Sequence, residues 1–204
     1  MEKIENIIFD LGGVLLDIDY NLTRSAFEKL GVTYFDKMYS QASADHLFQK
    51  LETGHISEQD FYKELNRCTG LGLAEEDIRL AWNAMLLSFR EKSLHFLETI
   101  RPSYKIFLLS NTNFIHLDAI KKTFYEKERK HSFREYFDKA FYSCEIGLRK
   151  PDAECFDWVL NDLKIPQANT VFIDDSAQNI EAAESAGLQT IHLTAEMCVE
   201  NLRL

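Results

Sequence analysis

Five short apolar segments, separated by longer stretches of mixed polarity, constrain the fold of this 204-residue chain more than any other feature. The segments are Ile4–Phe9, Lys105–Leu109, Lys139–Tyr142, Thr170–Ile173 and Gln189–Leu193. Each interval between the later segments is long enough for a single helix, and this alternation is typical of an α/β fold with a parallel sheet. The sequence therefore predicts a parallel five-stranded sheet with flanking helices.

The interval between the first two predicted strands is much longer than the others. From about Asp17 to Pro102 the pattern indicates no strand, only amphipathic stretches such as Ile56–Leu65 and Glu75–Phe89. Ser57, followed by Asp60, predicts the start of a helix by a capping box. A parallel crossover needs only a dozen or more residues. We therefore expect an inserted all-helical cap at about residues 18–89, and a core formed by residues 1–17 and 90–204.

Polar residues follow the predicted strands at the point where each strand ends. They are Asp10 after the first strand, Ser110 and Asn111 after the second, Lys150 beyond the third, and Asp174 and Asp175 at the fourth. Taken singly, such residues more often cap helices or form turns. Ligands of open parallel sheets, however, bind outside the carboxyl ends of the strands. Three carboxylates at one edge repel one another unless a cation lies between them, and oxygen ligands favour Mg²⁺.

Charge and hydropathy restrict the partners and the location that we expect. The 33 acidic residues exceed the 23 basic ones and give a net charge of −10, which disfavours binding to nucleic acid. No segment approaches the ~18 consecutive apolar residues of a membrane span, so no membrane partner is expected. The first apolar stretch is too short for a secretory signal, and the four cysteines form no CxxC pair, which together predict a cytoplasmic protein. The oligomeric state is not predicted.

Four of the segments that carry these polar residues resemble the motifs of one family. Ile7–Leu15 (IIFDLGGVL) resembles the first motif of the haloacid dehalogenase-like superfamily, and Leu108–Asn111 resembles the second. Arg149–Pro151 is similar to the third motif and Val171–Ser176 to the fourth. All four occur in the family's order and together frame nearly the whole chain, so the set is far more specific than any one motif.

The resemblance implies a fold and an activity. Phe9–Gly12, followed by Asp17–Asp19 and later by Ser110–Asn113, most resembles the α-D-glucose-1-phosphate phosphatase branch. The superfamily implies a Rossmann-like core with a helical cap inserted after the first strand. The branch implies a phosphatase that hydrolyses a small phosphorylated metabolite, such as a hexose 1-phosphate.

The resemblance also implies the roles of the nucleophile and the metal ligands. Asp10 would attack phosphorus and form an aspartyl-phosphate, which water then hydrolyses. Mg²⁺ would be held by Asp10, the backbone carbonyl of Gly12 and Asp175, with Asp174 binding directly or through water.

Three further residues would contact the phosphoryl group. The Ser110 hydroxyl and the Asn111 N–H would donate hydrogen bonds to its oxygens. Lys150 would supply a compact positive charge to it and screen Asp10 from the neighbouring carboxylates.

One position departs from the family's pattern. Its phosphatases usually carry a second Asp two residues after the nucleophile as general acid and base, and Gly12 stands there in this chain. The loss of such a group costs roughly 10²–10⁴-fold in rate. Asp17, Asp19 or a residue of the cap could replace it, although capping and turn roles are the commoner use of such aspartates. The turn Glu52–Ser57 is expected from the resemblance to face the site and select substrates, with simple helix–turn–helix packing as the alternative.

Other activities remain open at this stage. A 2-haloacid dehalogenase also forms an aspartyl ester but attacks carbon without a metal, so it would not explain the acidic pair Asp174–Asp175. A phospho-ligand sensor with decayed hydrolysis would explain Gly12, and phosphotransfer between sugars would suit poorly activated water. A signalling receiver domain carries its acidic pair after the first strand and its acceptor Asp after the third, an order opposite to that found here.

Overall fold

The computed structural model describes residues 3–33, 35, 42–127 and 132–204. Its strands are β1 (Asn6–Phe9), β2 (Leu16–Ile18), β3 (Leu86–Phe89), β4 (Lys105–Ser110), β5 (Lys139–Tyr142), β6 (Thr170–Asp174) and β7 (Gln189–His192). Its α-helices are α1 (Tyr20–Lys29), α2 (Ala42–Glu52), α3 (Glu58–Thr69), α4 (Glu75–Asn83), α5 (Glu91–Ile100), α6 (Phe114–Tyr125), α7 (Ser143–Ile146), α8 (Ala153–Leu163) and α9 (Ala177–Ser185).

Five of the strands form one parallel sheet in the order β5-β4-β1-β6-β7. The predicted parallel five-stranded sheet is thereby confirmed, and each strand lies within two residues of its predicted bounds. The central strand β1 pairs on both sides, with Phe9 in register with Leu108 of β4 and Ile173 of β6. This register brings Asp10 next to the ends of β4 and β6, so the polar residues that follow these strands meet at one edge.

Two apolar layers cover the faces of the sheet. Successive side chains of a strand point to opposite faces, so Ile7 and Phe9 belong to one buried cluster and Ile8 to another. The first cluster includes Phe124 of α6, and the second includes Phe156 of α8. Helices on both faces therefore bury the central strands of the sheet, as parallel sheets require.

A third apolar cluster lies mainly within the helices α1–α4, which we call the helical insertion, and also includes Ile115 of α6. Phe27, Phe48, Phe61 and Trp82 are buried there, and the rings of Phe48 and Trp82 stack at 5.1 Å. The predicted start of α3 is confirmed, because the Ser57 hydroxyl accepts a hydrogen bond from the Asp60 N–H at 3.1 Å. The insertion has its own core, and the division at residues 17–18 and 89–90 stays a prediction.

The prediction that no strand lies between Asp17 and Pro102 is wrong. Leu16–Ile18 pairs antiparallel with Leu86–Phe89 and so joins the two ends of the helical insertion. The stretch Glu75–Phe89 does not continue as one amphipathic helix, since α4 ends at Asn83. Three to four residues that pair with a segment about 70 positions away have no local pattern of their own.

Within the described ranges, none of the helices is both long and apolar enough to cross a bilayer.

Candidate active site

A buried lysine stands between two carboxylates at the carboxyl edge of the sheet. Lys150 Nζ donates to Asp10 Oδ1 at 2.7 Å and to Asp174 Oδ2 at 2.6 Å. The lysine is 1 % exposed and Asp174 is fully buried. Burial alone would lower the pKa of Lys150, but the two carboxylates outweigh that effect and raise it. Lys150 is therefore a fixed ammonium group, and a buried charge of this kind is stable only when it is paired.

The Asn111 side chain holds the backbone of Lys150. Its Nδ2 donates to the Lys150 carbonyl at 2.8 Å, and its Oδ1 accepts from the Lys150 N–H at 2.9 Å. The sequence suggested only the backbone N–H of Asn111 as a functional group. The amide side chain adds a positioning role, because it ties the end of β4 to the segment that carries the lysine.

Asp174 is held by several hydrogen bonds at once. Its Oδ1 accepts from the Ser176 N–H at 2.8 Å, and Asn179 Nδ2 lies 3.1 and 3.0 Å from its two oxygens. Because Lys150 occupies Oδ2 as well, both oxygens of this buried carboxylate already have partners. Sequence reasoning missed Asn179, which follows Asp174 by five residues and lies in the first turn of α9; an amide at that spacing was the available signal.

Three carboxylates cluster around this single ammonium group. Oxygen atoms of Asp10, Asp174 and Asp175 all lie within 4.8 Å of one another. Burial raises the pKa of Asp10 to about 7, with Lys150 opposing and Asp174 adding to the rise. Burial and the neighbouring Asp174 also raise the pKa of Asp175. One lysine does not balance three carboxylates, so the donor set fits a hard divalent cation.

The loop after β1 approaches Asp175 closely. Gly13 has a φ of +68°, and a Cβ on it would lie 2.1 Å from Asp175 Oδ2. Glycine is required there both for the backbone conformation and for the space. The absence of this one side chain lets the loop that carries Asp10 and Gly12 lie against the Asp175 carboxylate.

At position 12, where the family's phosphatases usually carry their general acid, a neighbouring side chain occupies the space beside the backbone. A Cβ on Gly12 would lie 2.9 Å from Ile18 Cδ1, so an isoleucine side chain occupies the space that a side chain would take. The two aspartates that we considered as replacements have structural partners. Asp17 Oδ1 accepts from Arg90 Nε at 2.6 Å, and Asp19 caps α1 by accepting from the Asn21 N–H at 2.9 Å.

A cavity of about 270 Å³ lies at this edge of the sheet. Six of the seven predicted site residues contribute to its wall, namely Asp10, Gly12, Ser110, Asn111, Lys150 and Asp175. Asp174 is not part of the wall and contacts Lys150 instead. The helical insertion supplies Tyr20, Glu52 and Trp82. The cavity is therefore formed by the sheet edge and the helical insertion together.

A sequence model of the haloacid dehalogenase-like hydrolase family matches residues 4–187. The chain belongs to this family. The matched residues include every residue of the cavity wall named above, and the predicted resemblance is confirmed at the level of the superfamily. The narrower resemblance to the α-D-glucose-1-phosphate phosphatase branch stays a prediction.

Relatives of this haloacid dehalogenase-like chain match along nearly its whole length. D-ribitol-5-phosphate phosphatase of Bacteroides thetaiotaomicron is 33 % identical over 187 residues, which cover 92 % of this chain and 90 % of that protein. A phosphorylated carbohydrates phosphatase of Thermotoga maritima is 26 % identical and covers 93 % of this chain and 84 % of its own length. A family enzyme of B. thetaiotaomicron, solved with magnesium and inorganic phosphate, superposes with a TM-score of 0.86 at 32 % identity, covering 94 % of this chain and 95 % of that one.

In this family member a buried histidine joins the sheet edge to the helical insertion. His116 Nε2 lies 3.0 Å from the Trp82 carbonyl oxygen, and Nδ1 lies 3.1 Å from Asn113 Nδ2. A carbonyl can only accept, so Nε2 carries the proton and Nδ1 accepts from the amide. Burial lowers the pKa of His116 to about 4. The ring is therefore neutral near pH 7, and sequence reasoning did not assign it to the site.

Proposed function

We propose that this protein is a Mg²⁺-dependent phosphatase of small phosphorylated carbohydrates that uses Asp10 as its nucleophile. The observation that carries the proposal is the buried ammonium group of Lys150 within a cluster of three carboxylates. Such a site combines an anionic nucleophile with a place for a cation and a fixed positive charge. A phosphate monoester needs all three, because its own negative charge repels an unscreened carboxylate.

The metal would be held by Asp10, the Gly12 carbonyl and Asp175. Asp174 would act through water or through Lys150, since both its oxygens already have partners. When bound, Mg²⁺ would neutralise charge between the carboxylate and the phosphate. The presence of magnesium and inorganic phosphate in the related B. thetaiotaomicron structure supports this assignment.

The remaining roles fall to residues of the same cavity. Asp10 attacks phosphorus, the bond from phosphorus to the leaving oxygen breaks, and water then hydrolyses the aspartyl-phosphate. Lys150 holds Asp10 Oδ1 and neutralises charge that accumulates on the phosphoryl oxygens. The Ser110 hydroxyl and the Asn111 N–H donate to those oxygens, while the Asn111 side chain keeps Lys150 in place.

The relatives and the cavity both support this substrate class. Both curated relatives described above are named as phosphatases of phosphorylated carbohydrates or polyols. A cavity of about 270 Å³ is at the small end for ligand pockets and suits a short metabolite. Ribitol 5-phosphate and hexose 1-phosphates are the first candidates, and the helical insertion, as a cap, would select between them.

Release of inorganic phosphate from a panel of metabolites tests the proposal. The panel contains ribitol 5-phosphate, hexose 1-phosphates and primary sugar phosphates, with chloride release from 2-chloropropionate measured in parallel. We expect phosphate release from at least one carbohydrate phosphate and no chloride release. Chloride release without phosphate release would instead establish a dehalogenase. Binding of a phosphate ester without turnover would establish a sensor.

A further inference from the structure

Glu52 brings a third carboxyl group into the wall of the cavity. Among the described residues of that wall, the carboxyl groups belong to Asp10, Asp175 and Glu52. The first two lie at the sheet edge and have roles in the proposed function. Glu52 is the last residue of α2 and so comes from the helical insertion. Nothing in the proposed function uses it.

Three buried side-chain atoms of the cavity wall, one of them on Glu52, have no hydrogen-bond partner among the described residues. Its Oε2 lies 3.3 Å from Arg149 Nη2, but the contact lacks hydrogen-bond geometry, and Oε2 is buried without a hydrogen bond. Arg149 Nε and Trp82 Nε1, both on residues of the same wall, are also buried without one. Buried polar atoms in folded proteins are nearly always hydrogen-bonded. This part of the cavity is therefore built for a polar ligand that completes the bonding.

The backbone of Glu52 is fixed to the sheet edge. Ser143 Oγ donates to the Glu52 carbonyl at 2.7 Å and accepts from the Thr112 N–H at 2.8 Å. Two residues later, Gly54 has a φ of +69°, and a Cβ on it would lie 2.2 Å from the Cys144 carbonyl oxygen. This close packing ties the carboxyl-bearing segment to the loop that follows Ser110 and Asn111.

The candidates for proton transfer that the sequence suggested either lack a side chain or lie outside the cavity wall. Position 12 has no side chain, and Ile18 fills the space beside it. Neither Asp17 nor Asp19 belongs to the cavity wall; Asp17 is paired with Arg90, and Asp19 caps α1. Burial raises the pKa of the Glu52 carboxyl, with Arg149 opposing part of the rise, which moves the group toward the range useful for a general acid.

We propose that Glu52 is the general acid and base of this enzyme, in place of the aspartate that Gly12 lacks. The inference rests on the proposed phosphatase function. As Asp10 forms its bond to phosphorus and the ester bond breaks, the Glu52 carboxyl gives its proton to the leaving alkoxide, which departs as an alcohol. The Glu52 carboxylate then takes a proton from the water that attacks the aspartyl-phosphate. Inorganic phosphate is released, and free Asp10 and the protonated Glu52 are regenerated.

The test uses two substrates that differ in their need for an acid. Ribitol 5-phosphate, or the best alkyl phosphate of the panel, releases an alkoxide that must be protonated, whereas p-nitrophenolate leaves without a proton. We expect Glu52→Gln to lower kcat/KM for the alkyl phosphate by about 100-fold or more, and to change kcat/KM for p-nitrophenyl phosphate only slightly. Because breakdown of the aspartyl-phosphate also loses its base, the variant should show a burst of one p-nitrophenolate per site.

The controls separate the possible failures. Glu28→Gln, an exposed glutamate on α1 of the same insertion, should leave both substrates unaffected. If circular dichroism shows that Glu52→Gln does not fold, Glu52→Asp replaces it. A loss of kcat/KM is again expected for the alkyl phosphate alone. Equal losses of kcat/KM for both substrates, or an effect on the alkyl phosphate that is confined to KM, would overturn the role of Glu52 while leaving the phosphatase intact. A wild type that releases no phosphate would instead refute the proposed function.

Discussion

Acidification should remove the contribution that the neutral ring of His116 makes to stability, and the size of this one contribution follows from the structure. The ring is buried and neutral, with a pKa of about 4 against an ordinary value of 6.5. Between these values the unfolded chain binds a proton on this histidine that the folded protein does not. The contribution of His116 to the free energy of unfolding is therefore fully present above pH 6.5 and falls as the pH decreases. At 1.36 kcal/mol per pKa unit, the loss reaches about 2 kcal/mol by pH 5 and about 3 kcal/mol by pH 4.

The perturbation that isolates this contribution is His116→Phe. Phenylalanine keeps an aromatic ring against Trp82, which stacks on His116 at 5.2 Å, but does not titrate. The Trp82 carbonyl also retains the hydrogen bond from the Thr23 hydroxyl at 3.1 Å. The variant should be less stable than wild type at pH 7, because it leaves Asn113 Nδ2 without its partner, yet it should lose about 2 kcal/mol less than wild type between pH 7 and pH 5.

Urea unfolding, followed by tryptophan fluorescence at pH 7, 6 and 5, measures this difference. His95→Phe, which removes an exposed histidine from α5, controls for the loss of a titrating side chain as such. Equal losses of unfolding free energy in wild type and His116→Phe would show instead that His116 does not stay neutral in the folded state.

Three further predictions concern the residues around the site. Gly54→Ala should destabilise the protein about 1–3 kcal/mol more than Gly70→Ala in urea unfolding, because both glycines have φ near +69° but only Gly54 meets a backbone atom, the Cys144 carbonyl oxygen; equal costs would show that the close contact does not matter. Asp19→Ala should cost about 1 kcal/mol as a lost helix cap, and a fall in kcat approaching 100-fold would show that this aspartate takes part in proton transfer after all. Asn179→Ala should cost about 1–3 kcal/mol and lower kcat more than it raises KM, since it withdraws hydrogen bonds from the carboxylate that positions the lysine; an unchanged kcat would contradict that positioning role.

Strand placement could be predicted from the sequence because it depends on local composition. The runs that form β1, β4 and β6 are apolar on both faces, as fully buried parallel strands must be, and a polar residue ends each strand or directly follows it. Once their order in a parallel sheet is assumed, the convergence of Asp10 and Asp174 follows from geometry alone. The sequence pattern therefore predicts at which edge of the sheet the cavity lies.

Contacts between distant segments were not predictable in the same way. The pairing of β2 with β3 depends on a partner about 70 residues away, so Leu86–Phe89 resembled the end of an amphipathic helix. Asn111 showed its polar character but not that its side chain would clamp the backbone of Lys150. Asp17 and Asp19 were open candidates for catalysis until their partners were known.

In the proposed function, Asp10 attacks the phosphate with the help of a divalent cation held by the acidic cluster. The most direct test of this step is phosphate release by wild type and by Asp10→Asn, each with Mg²⁺ and with EDTA, after circular dichroism has shown that the variant folds. We predict that wild type turns over with Mg²⁺ but not with EDTA, and that Asp10→Asn turns over under neither condition. Turnover by Asp10→Asn, or turnover by wild type that persists in EDTA, would contradict this proposal.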